Sequence, residues 1–118
     1  MNLRKLLIAN RGEIAVRIAR TAADLGTRTV GIHAADDADC PHVDRVDEVW
    51  GLAKSGPAAY LDMAAIVDAA LASGCNGVHP GYGFLSENAA FARACRAAGL
   101  MFIGPDPETL ETFGDKTR

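Results

Sequence analysis

Apolar positions along the chain alternate between short unbroken runs and repeats of three and four residues. Residues 3–9 form the first run and predict a buried strand. Over 13–25, Ile14, Ala15, Ile18, Ala19, Ala22 and Leu25 recur at helical spacing, and Gly26 follows as a natural helix stop. Residues 28–33 predict a second strand. The polar, acidic stretch 34–42 reads as loop, 43–46 as one helical turn, and 47–52 as a third, shorter strand. Gly56-Pro57 marks 53–59 as loop. A second helix is predicted over about 61–73, ended by Gly74, with Met63, Ile66, Val67, Ala70 and Leu71 on one face. Residues 76–79 form a strand stopped by Pro80. Ser86 or Asn88 caps a third helix that ends before Gly99 and turns Phe91, Cys95 and Ala98 inward. Residues 100–103 are a fifth strand, and Asp106-Pro107-Glu108 opens a last helix ending near Gly114.

Strands separated by helices of this length imply right-handed βαβ units. The pattern therefore predicts an α/β fold, a Rossmann-like three-layer domain with a mainly parallel five-stranded sheet. Ligands in such sheets bind outside the carboxyl ends of the strands. That directs attention to the loops 10–13, 33–41, 80–87 and 104–106.

Composition narrows the class without naming a function. A chain of 118 residues suits one domain and buries roughly two thirds of its extended surface, enough for a core without metal or disulfides. A hydrophobic fraction of 49% and a charged fraction of 23% exclude a disordered tail or a disulfide miniprotein. The net charge of −3 argues against nucleic-acid binding. No run approaches the roughly 18 apolar residues of a membrane span, and the apolar stretch 6–9 is too short for a signal peptide. We expect a cytoplasmic location. Cys40, Cys75 and Cys95 make no C-x-x-C pair, so neither a zinc site nor a disulfide framework is indicated, and buried reduced thiols are expected at least for Cys75 and Cys95.

Two segments could carry chemistry. Asn10-Arg11-Gly12-Glu13 joins a strand to a helix, in principle an anion site. It lacks the G-x-G-x-x-G of a dinucleotide turn, and Glu13 in the first turn repels phosphate, so a structural loop is the better reading. The second segment is Pro80-Gly81-Tyr82-Gly83-Phe84-Leu85-Ser86-Glu87-Asn88. Two glycines around a tyrosine at a strand end permit positive φ and close approach of a ligand. From spacing alone, a tight turn with a helix cap and a packed, hydrogen-bonded His79 is the better reading.

Taken together, residues 8–15 (Ile-Ala-Asn-Arg-Gly-Glu-Ile-Ala) and 79–88 (His-Pro-Gly-Tyr-Gly-Phe-Leu-Ser-Glu-Asn) strongly resemble the N-terminal region of biotin carboxylases. Phe102-Ile103-Gly104-Pro105 and Gly114-Asp115-Lys116 match the same family in order and spacing, so the resemblance covers essentially the whole chain. Two places depart from it. The family commonly has Asp-x-Asp-Ala-Leu-His where this chain has Asp37-Ala38-Asp39-Cys40-Pro41-His42, and Trp50 is bulkier than the family pattern at that strand.

The resemblance implies a parent enzyme that carboxylates carrier-bound biotin with ATP and bicarbonate, with Mg2+ accompanying the nucleotide. Residues 1–113 would be its pre-ATP-grasp domain, and 114–118 the start of the connection to the ATP-grasp domain. Partners would be the ATP-grasp and C-terminal parts, a biotin carrier, a carboxyltransferase and a second copy in a homodimer. Lys116 matches the lysine that reaches the nucleotide phosphates. Tyr82 and Gly83 match positions that contact the biotin ring, with His79 and Glu87 as supporting residues. Arg17 and Arg20 match positions near the dimer interface, and a solvated helix face explains them equally. No metal ligand or catalytic base is expected in this chain. On its own it is expected to be inactive and to bind no cofactor tightly. The alternative reading is a self-contained Rossmann-like binding or regulatory domain.

Overall fold

The chain is built outward from one short strand. β1 (Lys5–Ile8) pairs in parallel with β2 (Arg28–His33) on one edge and with β4 (Gly77–His79) on the other. β3 (Glu48–Gly51) adds beyond β2, and β5 (Met101–Phe102) beyond β4. The sheet order is β3-β2-β1-β4-β5, every pair parallel, which is the α/β architecture the sequence pattern predicts. The computed structural model describes residues 2–104. The predicted helix from Asp106, the boundary at 113–114 and Lys116 lie outside the described residues.

Parallel strands need crossover helices on both faces, and alternation along β1 supplies a core for each. Leu7 and Ala9 join Val30, Ile32 and Val78 beneath α2 (Met63–Ala72) and α3 (Ala89–Ala97). Leu6 and Ile8 pack instead against Ala15, Ala19 and Ala22 of α1 (Gly12–Asp24). In the larger core, Phe91 of α3 meets Phe102 of β5 edge-on, centroids 6.0 Å apart. β3 is the least covered strand, leaving Val49 and Trp50 partly exposed. Cys40, Cys75 and Cys95 are all buried and free.

Several predicted details are corrected. Leu25, expected on the inner face of the first helix, is 77% exposed, because α1 ends at Asp24 and its buried stripe runs through Ala15, Val16, Ala19 and Ala22. Leu71 is likewise half exposed, lying one residue past the Ile66, Ala69, Ala70 stripe, about 100° further round the helix. The stretches read as loop at 34–42 and 53–59 run into two 3-10 helices, Pro41–Arg45 and Pro57–Leu61. A proline opens each, with φ already near the helical value.

Two polar side chains tie distant segments together. Asn76, just before β4, accepts from the Arg4 and Lys5 amides through Oδ1 (2.9 and 3.1 Å) and donates to the Asn2 carbonyl (2.7 Å). His42 is fully buried. Its Nε2 donates to the Ile32 carbonyl (2.6 Å), and its Nδ1 accepts from the Gly12 amide (3.3 Å). Those partners need the neutral ring, and burial pushes its pKa below the ordinary 6.5.

Asn76→Ala should destabilise the chain by about 1 kcal/mol in chemical denaturation, since it leaves two part-buried backbone donors without their partner. The pH dependence follows from His42 and from His79, whose pKa burial also lowers. Below pH 6.5 the unfolded histidines take up protons before the folded ones do. Stability is therefore full above that value and lost as pH falls toward the lower folded pKa. Denaturation midpoints should drop between about pH 7.5 and 5.5, and His42→Gln should flatten the slope.

Candidate binding site at the carboxyl edge

From β1 the chain crosses through α1 to β2 on one side; from β4 it crosses through α3 to β5 on the other. The crevice between the carboxyl ends of β1 and β4 is thus the point where connections reverse, the usual ligand position in open parallel sheets. Asn10 and the 80–85 loop meet there. Asn10 is 1% exposed. Its Nδ2 donates to the carbonyls of Pro80 (2.9 Å) and Tyr82 (2.7 Å), and its Oδ1 accepts from the Arg11 amide (2.8 Å).

The loop lies flat on this side chain because position 81 is glycine. Gly81 has φ +66°, and a Cβ there would stand 2.9 Å from both Asn10 Nδ2 and Ile14 Cγ2. Gly83 (φ +76°) faces open space, and Phe84 adopts φ 45°, a left-handed conformation costing about 1 kcal/mol for a residue with a Cβ. Phe84 is held by the Tyr60 ring, centroids 5.2 Å apart. Between the two glycines, Tyr82 is carried out to 80% exposure.

Tyr60 belongs to a neighbouring polar cluster. Its hydroxyl donates to Asp37 Oδ2 (2.6 Å) and accepts from the Ala34 amide (3.0 Å). Arg11 grips the same carboxylate with two bonds, Nε–Oδ2 2.6 Å and Nη2–Oδ1 2.9 Å. The Arg11 guanidinium holds the Asp37 carboxyl down to about 2, with Tyr60 adding to the effect. Burial, then Asp37, pushes the Tyr60 phenol up to about 12. A hollow of about 290 Å³ opens over Arg11, Asp36, Asp37, Tyr60 and Phe84. A larger recess, about 380 Å³, is apolar and lies under α1, lined by Leu3, Leu6, Ile18, Ala22 and Ile103. It contains none of the loop's glycines or Tyr82.

Of the residues singled out in the sequence, His79 meets the loop at Gly81 and, with Arg17, lines the apolar recess rather than the hollow beside Phe84. Its Nδ1 accepts from the Gly81 amide (3.0 Å), and its pKa is lowered by burial. A Ser86 cap would put Glu87 in the first turn of α3, where the sequence places it; the structure does not. The N-cap is Asn88, whose Oδ1 accepts from the Phe91 amide (3.0 Å), so Glu87 falls one residue before it, exposed. Arg17 and Arg20 are exposed on α1, with Arg17 3.5 Å from Glu13. Asn10, Arg11, Asp37 and Tyr60 were not singled out as site residues. Asn10, Arg11 and Asp37 lie in loops that the strand ends direct attention to, whereas Tyr60 leaves no such signal.

Comparison with known proteins agrees with this geometry. The family model for the N-terminal domain of biotin carboxylase matches residues 2–110. The biotin carboxylase of Halalkalibacterium halodurans is 52% identical over 114 residues, 96% of this chain and 25% of that one. The alpha3 subunit of a biotin-dependent acyl-coenzyme A carboxylase from Mycobacterium leprae is 51% identical over 113 residues, 95% of this chain and 19% of its own length. Among solved structures, the biotin carboxylase domain of a single-chain bacterial carboxylase superposes with a TM-score of 0.94 at 57% identity, covering 97% of this chain and 27% of that one. The chain thus spans a quarter or less of these two curated relatives. With the family model matching most of its length, the chain belongs to the biotin carboxylase N-terminal domain family.

Proposed function

We propose that this domain forms one wall of the biotin site in an ATP-dependent carboxylase that charges carrier-bound biotin from bicarbonate. The observation that carries the reading is Tyr82, raised between Gly81 and Gly83 over the β1–β4 crevice and left largely uncovered. An exposed ring beside open backbone offers a flat, partly apolar surface to a bicyclic ligand. Gly83 has no heavy atom within 4 Å of where its Cβ would stand, so a ligand can approach the backbone there. His79 holds the loop through the Gly81 amide, and Glu87 adds negative charge at its rim.

ATP enters through the family membership and through relatives that include a thermophilic 2-oxoglutarate carboxylase domain solved with ADP. Lys116 is assigned to the nucleotide phosphates, as a compact cation suited to them. Among the described residues no group of three His, Cys, Asp or Glu side chains is placed to hold a metal ion. Mg2+ is assigned to the nucleotide and to residues of the ATP-grasp part on the family resemblance, along with the closed site that phosphoryl transfer needs. The carrier, the carboxyltransferase and a homodimer using Arg17 and Arg20 complete the assembly. This domain alone is assigned no turnover. Among the described residues no helix is long and apolar enough to cross a membrane. Three buried free thiols fit a reducing compartment, and we assign the cytoplasm.

In the full-length carboxylase carrying this domain, Tyr82→Ala should raise the KM for biotin roughly tenfold, equivalent to about 1.4 kcal/mol, and leave the KM for ATP unchanged. Lys116→Ala should do the reverse. Steady-state kinetics with each substrate varied in turn makes the measurement. Equal effects of both variants on both substrates would remove the assignment.

A further inference from the structure

We infer that Asn10 is the positioning residue of the Tyr82 loop, setting the height and tilt at which Tyr82 and Gly83 meet their ligand. The inference rests on the biotin reading above and adds to it a residue on a different strand. Three observations converge on it. Asn10 is buried, and both its N–H groups are spent on carbonyls of the one loop, at Pro80 and Tyr82. Those carbonyls flank Gly81, so the peptide units on either side of the turn are fixed by one rigid amide. Gly81 in turn has no room for a Cβ against Asn10 and Ile14, so loop and side chain are fitted to each other.

The loop also carries strain that needs an external hold. Gly81, Gly83 and Phe84 all have positive φ, and Phe84 is a bulky residue in that region. Strained backbone persists only where its surroundings over-determine it, and such places concentrate at ligand sites. The surroundings form a closed circuit here. Asn10 holds the loop at Pro80 and Tyr82, while Tyr60 holds it at Phe84. Tyr60 is bonded to Asp37, Asp37 to Arg11, and the Arg11 amide returns to Asn10 Oδ1. Asn10 belongs to the strand end rather than to the loop, so it transmits the rigidity of β1 to a segment that has little of its own. The neutral amide is specific to this task. A carboxylate of the same shape offers acceptors only and would face two carbonyl oxygens.

The test uses the full-length carboxylase carrying this domain, with Asn10→Asp, Gly81→Ala and Tyr82→Ala compared. Asn10→Asp removes both donors, and Gly81→Ala keeps Asn10 but drives the loop off it. Each should raise the KM for biotin roughly three- to tenfold, the value of one or two net hydrogen bonds, with the KM for ATP within about twofold. Hydrogen exchange should speed up at the Gly81 and Ser86 amides, which bond to His79 Nδ1 and the Gly83 carbonyl, and stay unchanged at Leu7 and Val78. An unchanged biotin KM beside a working Tyr82→Ala effect overturns the inference. So does faster exchange across β1 and β4 with both KM values rising together, which marks a residue of general stability. If Tyr82→Ala itself leaves the biotin KM unmoved, the biotin reading falls, and the exchange pattern alone decides whether Asn10 positions the loop. Should Asn10→Asp fail to fold, Gly81→Ala carries the same comparison.

Discussion

Everything in this fold is arranged around the burial of β1. A parallel strand paired on both edges and covered on both faces has no water to satisfy its backbone, so the ends where pairing stops must find other partners. Two asparagines close them. Asn76 sits at the amino end of the β1–β4 pair and takes the amides of Arg4 and Lys5. Asn10 sits at the carboxyl end and gives its amide protons to the turn after β4. The same chemical group thus closes both ends of the central strand pair.

Sealing also separates the layers. α1 covers one face through alanines, which lets the helix approach the sheet closely, while α2 and α3 cover the other through Ile66, Phe91 and Cys95. The carboxyl-edge loops are then held less by apolar packing than by directional bonds: the Arg11–Asp37 fork, the Tyr60 hydroxyl, the two nitrogens of His42. Bonds of this kind fix angles, which apolar contact does not. The ligand surface proposed above, an exposed ring beside bare glycine backbone, depends on angles.

The architecture was legible because strand and helix periods differ and nearly every helix ends on glycine or a small residue. All five strands and the three described helices lie within a few residues of their predicted positions. Individual faces were harder to read. Leu25 and Leu71 continue the apolar repeat by sequence but fall where the helix has ended or turned away. Tyr82 and Gly83, the residues proposed to meet the ligand, stand out through the ten-residue run 79–88. The residues that hold that run in place do not. Asn10, Arg11, Asp37 and Tyr60 come from three separate connections after β1, β2 and β3, and their meeting is a property of sheet order, which no local pattern encodes. Glu87 was misplaced because Ser86 and Asn88 are equally good caps by type, and only the bond to Phe91 decides between them.

The three cysteines have a use that follows from where they lie. Cys95 is sealed under α3, and burial raises its thiol to about 11, so almost none of it is thiolate at neutral pH. Cys75, at the start of the β4 segment, is likewise shifted upward by burial. Cys40 lies on the other side of the sheet's carboxyl edge, next to the 3-10 turn that carries His42. An alkylating reagent therefore acts as a clock with separate hands. Labelling at Cys40 times the opening of the loops around the Arg11–Asp37 fork, and labelling at Cys95 times the lifting of α3 from the sheet. These thiols carry a chemical record of which layer loosens first.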